Sequence, residues 1–124
     1  MGAYNNILLP NVRCPVCGEI TDVTAQTHFA SSYDGDDTGR FALRTFRLGE
    51  AMPWFPKESP KFGDWRKGAV SIVQVGDGRL QECCYSDCQA HGDQLYAVIE
   101  FVDMTPVRLV ALRAKKDWPP DFPR

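Results

Sequence analysis

No stretch of this sequence approaches the roughly 20 consecutive apolar residues that a membrane-spanning helix needs. No segment longer than about ten residues repeats its apolar positions at the helical period either, which excludes a helical bundle. The opening residues, Met1-Gly2-Ala3-Tyr4-Asn5-Asn6, carry neither the charged nor the apolar region of a secretory signal, and Asn6 stands where a myristoylation signal needs Ser or Thr. A cytoplasmic location is therefore expected. Basic excess is also missing. Lys and Arg number 14 against 16 Asp and Glu, a net charge of -2, which argues against phosphate-backbone binding as the main activity. The two histidines, His28 and His91, lie in no context that resembles a nucleophile-and-base motif.

What is present suits one ordinary globular domain. A chain of 124 residues can bury roughly two-thirds of its unfolded surface around a single core. We read residues 1–124 as one β-rich domain, with 113–124 as an extended tail. The five cysteines are an odd count, and in a reducing compartment clustered thiols serve metals more often than disulfides.

Period-2 patterning dominates. Residues 4–9 suit a first strand that Pro10 and the run CPVCG interrupt. From Ile20 to Phe29 the residues Val23, Ala25, Thr27 and Phe29 alternate with Thr24, Gln26 and His28, as in a half-buried strand. On that reading His28 is a surface residue. Phe41 to Leu48 reads as another strand. Val70 to Val75 and Leu80 to Cys84 form a hairpin about Gly76-Asp77-Gly78, and Leu95 to Val102 and Val107 to Arg113 form a second about Asp103-Met104-Thr105-Pro106. The expected fold class is all-β, roughly six or seven mainly antiparallel strands, with room for a short helix.

Two short runs match position by position: CPVCGE at residues 14–19 and CQAHGD at residues 88–93. Each holds a thiol, two spacers, a second donor, a glycine and an acid. Two spacers let both donors of a tight turn reach one tetrahedral ion, and glycine takes the positive φ that closes such a turn. The expected site is a structural zinc ion on Cys14, Cys17, Cys88 and His91. Cys84 in place of His91 is the alternative fourth ligand. Adjacent Cys83 and Cys84 point to opposite faces of a strand, one to the core and the other towards the metal or the surface. Four protein ligands leave no position for water, so such an ion stabilises rather than catalyses. The 70 residues between Cys17 and Cys88 are tolerable because loop-closure entropy grows only logarithmically.

The opening Met-Gly-x-Tyr, the apolar strand, proline and CPVCG, FRLGE at 46–50, and a late knuckle before a terminal hairpin resemble a family of small uncharacterised bacterial zinc-ribbon-like proteins. The likeness spans most of the chain. That family carries Cys-x-x-Cys at both ends, where this chain has His91. The resemblance implies a zinc-ribbon-like double knuckle and no particular activity.

Two other segments invite a site. Asp34, Asp36, Thr38 and Gly39 echo a calcium loop, but its twelfth position is Thr45 rather than glutamate, so a solvated acidic loop is expected. Between Trp54 and Lys67, aromatics alternate with cations. Trp54, Phe55, Lys61, Phe62, Trp65, Arg66 and Lys67 are candidate partner-binding residues, either for a protein or for single-stranded nucleic acid. Rings that cap the sheet are the plainer reading. The expected function is non-enzymatic binding of another protein, as small acidic inhibitors or immunity proteins do. A nucleic-acid-binding zinc ribbon is the first alternative and a zinc hydrolase the second.

Overall fold

The computed structural model describes residues 4–32, 41–66 and 72–122. The acidic run from Asp34 to Gly39 lies outside them. Strands dominate the fold, in a curled sheet that is mainly antiparallel, and no helix reaches seven residues among the described ones. The strands are β1 (Asn5–Arg13), β2 (Ile20–Thr27), β3 (Thr45–Arg47), β4 (Ile72–Gly76), β5 (Arg79–Cys88), β6 (Gln94–Val102) and β7 (Thr105–Ala114). Their order is β3-β1-β2-β5-β6-β7, with β4 also paired to β5. The β5 strand is the spine. From Arg79 to Asp87 it pairs with β6, while its other edge is shared by β4 at Arg79–Glu82 and by β2 at Ser86–Cys88.

Several expected boundaries move. β1 runs through Pro10, because Pro10 and Asn11 together oppose the single residue Asp22, between the pairs Leu9↔Val23 and Val12↔Thr21. A bulge asks no ladder hydrogen bond of the proline, and Asn11 absorbs the kink at φ 53. The strand expected from Phe41 to Leu48 shrinks to Thr45–Arg47 and pairs parallel to β1, since Leu43 at φ 62 breaks the extended run before it. Pro106 belongs to β7 opposite Phe101, not to the turn. The β6–β7 turn is the dipeptide Asp103-Met104, both at positive φ, which matches the twist of the flanking strands.

The curl brings the ends of the sheet together. Beyond β3, Gly49 N–H donates to the Pro106 carbonyl (2.6 Å), and Met52 N–H donates to the Met104 carbonyl (2.8 Å). Inside lies the main core, which includes Ile7, Val23, Phe29, Leu95, Ile99 and Phe101. Burying each such side chain stabilises by about 1.5–3 kcal/mol. The outer face of β5 and β6 carries a second cluster of Cys83, Tyr96 and Val98, roofed by Trp118. The C-terminal segment is thus not a free extended tail: after a 3₁₀ turn at Lys115–Asp117, Trp118 is buried and its Nε1 donates to the Phe122 carbonyl (2.9 Å).

Candidate metal centre

The register of β2 on β5 decides where the two matching runs meet. The strands are antiparallel and Val23 pairs with Cys88, so the start of β2 lies beside the end of β5. The β1–β2 turn holding Cys14 and the β5–β6 turn after Cys88 therefore share one end of the sheet. Gln89 N–H ties them by donating to the Asp22 carbonyl (3.0 Å).

The turns close with the same hydrogen bonds. In the first, Cys14 N–H donates to the Glu19 carbonyl and Gly18 N–H to the Cys14 carbonyl, each at 2.9 Å. In the second, Cys88 N–H donates to the Asp93 carbonyl (3.1 Å) and Gly92 N–H to the Cys88 carbonyl (2.8 Å). Gly18 and Gly92 sit at φ 78 and 70, the left-handed region expected from their place in the repeat. Backbone N–H groups also point at sulfur: Val16 and Cys17 at Cys14 Sγ (3.4 and 3.5 Å), and His91 at Cys88 Sγ (3.4 Å). Such donors favour a thiolate.

Four donor atoms converge. Those of Cys14, Cys17, Cys88 and Asp93 all lie within 4.8 Å of one another, an arrangement that could hold a metal ion. Cys17 Sγ is 3.8 Å from Cys88 Sγ, and Cys14 Sγ is 3.6 Å from Asp93 Oδ2. A tetrahedral ion with sulfur at about 2.3 Å and oxygen at about 2.0 Å holds two sulfurs about 3.8 Å apart and a sulfur and an oxygen about 3.5 Å apart. The two observed separations fit those edges. Cys14 and Cys88 are buried, while Cys17 and Asp93 close the side nearest solvent.

Crowding shapes the acidities. For Cys17 the Glu19 backbone N–H favours the thiolate, but desolvation and the neighbouring Cys14, Cys88 and Asp93 push the thiol up to about 12. Cys88 moves the other way. Desolvation opposes its ionisation, yet N–H groups of His91 and Ala90 and the two neighbouring thiols bring it below the usual range.

His91 stands one step outside. Its Nε2 bonds the Glu19 carboxylate, and both side chains are more than half exposed. Cys17, Glu19 and His91 form a second, outer group that shares Cys17 with the first. Cys84 is remote: it faces the interior like Cys88 but four residues up the strand, about 13 Å away at strand rise. Its sulfur leans on the Glu82 carbonyl (3.7 Å), and full burial pushes its thiol well up. Cys83 lies in the outer cluster, on the opposite face as the alternation requires.

No family model, curated protein or solved structure matches this chain. The functional reading therefore rests on the chemistry of these donors.

The aromatic stretch packs inward. Trp54, Phe55 and the buried Phe41 contact one another at centroid distances of 4.9–5.1 Å, and Trp54 Nε1 donates to the Phe62 carbonyl (2.8 Å). Lys61 sits over the Phe55 ring (5.6 Å). Trp65 packs on Phe29, which stacks on Phe101 in the core. The Arg66 side chain and all of Lys67 lie outside the described residues.

Two features escape a reading of residue types in order. Asp93 is visible in the sequence as the acid of the second run, but its turn towards sulfur is not. The other is a buried carboxylate. Glu82 accepts from Thr27 Oγ1 and from His28 N–H (3.0 Å), and His28 Nδ1 lies 3.5 Å away. His28 is thus half-buried and paired, not a free surface residue, and its pKa is raised chiefly by the hydrogen bond to Glu82.

Proposed function

We propose that this chain is a zinc-stabilised β module that binds another protein and carries out no catalysis of its own. The observation that carries the zinc assignment is the spacing of Cys14, Cys17, Cys88 and Asp93. Three thiolates with one carboxylate select a soft or borderline ion that accepts a tetrahedral shell, which suits zinc. A shell of four protein donors leaves no place for water, so the ion's role is to join the two turns. X-ray absorption at the zinc edge tests the shell: we expect three sulfurs and one oxygen, and a four-sulfur shell contradicts the assignment.

The protein-binding part is supported by a cleft of about 440 Å³ beside the first turn, lined by Val16, Gln94, Ala114, Lys115 and Lys116. Val16, which lines it, is a large apolar side chain left exposed. Lys115 lies over the Tyr85 ring (5.1 Å) and Lys116 is exposed, so the cleft is flanked by two cations and a partner presenting an apolar side chain with carboxylates beside it fits. The rings that single-stranded nucleic acid would need are already engaged with one another, which favours protein over nucleic acid. Purifying complexes from the native host with and without nuclease decides between them. A polypeptide that stays bound after nuclease treatment and is released by Lys115→Glu with Lys116→Glu supports the reading; a complex lost to nuclease overturns it.

A further inference from the structure

We propose a second metal position on the surface, formed by Cys17, Glu19 and His91, in which the Cys17 sulfur is shared with the buried ion. This inference rests on the zinc reading above. The ligand atoms of the three residues lie within 4.8 Å of one another, and only Cys17 also belongs to the buried group. A thiolate has lone pairs enough to bridge two cations, and imidazole and carboxylate are common partners for borderline divalent ions.

Charge supplies the driving force. Four anionic donors around one dication leave the buried centre at -2, and Glu19 beside it adds another negative charge. Arg13, whose Nη1 donates to the Gly18 carbonyl (2.5 Å), offsets one of these. A second dication at the rim relieves the remainder, and there the low dielectric of the buried side strengthens the attraction.

Geometry permits entry. Glu19 and His91 are bonded to each other at the surface, with their side chains 57% and 56% exposed, so an ion can reach both directly from solvent. Cys17 is the partly exposed thiol of the buried group, whereas Cys14 and Cys88 are closed off. With three protein donors the outer ion keeps at least one position for water, and so it exchanges readily where the inner one does not. The second turn has no counterpart, because the residue matching Cys17 there is His91 itself.

Native mass spectrometry of the full, reduced, zinc-loaded chain titrated with cobalt(II) tests this. The expected result is a species carrying one zinc and one cobalt, with a sulfur-to-cobalt absorption band, while Glu19→Gln and His91→Ala each hold a single ion over the same range. A wild-type chain that never exceeds one ion, or variants that bind two as readily, overturns the second position. If His91→Ala loses the first ion, His91 belongs to the buried shell and the proposal also fails. A wild-type chain that binds no metal at all refutes the zinc reading itself.

Discussion

Val23 of β2 sits opposite Cys88 of β5, and that one pairing carries the first half of the candidate site to the second across 70 intervening residues. The pairing joins two closed turns that are each held by the same backbone bonds. Most of the entropy of bringing the thiols together is thereby spent by the sheet before any metal binds.

The fourth donor separates two otherwise similar substitutions. Asp93→Ala should weaken zinc binding by about 100-fold or more, because it removes the oxygen 3.6 Å from Cys14 Sγ. His91→Ala should leave the affinity for the first ion within a few-fold. Competition against a chromophoric chelator measures both, and the reverse order would move His91 into the buried shell.

The His28–Glu82 contact predicts a pH-dependent term in stability. The folded-state pKa of His28 is raised above its ordinary value near 6.5 by its bond to Glu82. The protonated ring is therefore stabilised by folding. That contribution is complete below the unfolded value and is lost as pH rises through the folded one. Denaturant midpoints measured across this window should fall with increasing pH, and His28→Gln should flatten that slope. An unchanged slope in the variant would assign the pH dependence to other groups.

Trp118 is the roof of the outer cluster, over Cys83, Tyr96 and Val98. Trp118→Ala should destabilise the fold by about 3 kcal/mol, the lower end for a buried aromatic truncation. Chemical denaturation measures it. A loss below about 0.5 kcal/mol, the usual scale of surface substitutions, would mean that the C-terminal segment adds nothing to the fold.

The strand-rich class was legible because the alternation of residues 20–29 and the short apolar runs at 95–102 and 107–113, split by a turn, need no tertiary information. The three thiols were legible because two spacers between donors suit a tight turn around a tetrahedral ion. Asp93 and His91 occupy neighbouring places in one run, and choosing between them requires knowing which side chain the turn aims inward. Pro10 misled because a bulge tolerates what a regular ladder does not. Glu82 was hidden for a different reason: a lone acid in a strand reads as surface until Thr27 and His28, 54 or more positions away, supply its partners. The edge strand β7 holds a similar surprise. Its exposed Val107 and Val110 have no partners on β6, one at each of its two register shifts, which blunts that edge against pairing with another chain.

The most direct test of the account is metal content set against fold. Purified reduced protein should carry at least one tightly held zinc per chain, and stripping it with a strong chelator should lower the melting temperature by roughly 10 °C or more, as expected when a ligand present at about a thousand times its Kd is removed. Protein that holds no zinc, or that melts at the same temperature after chelation, would contradict the claim that an ion joins the two turns.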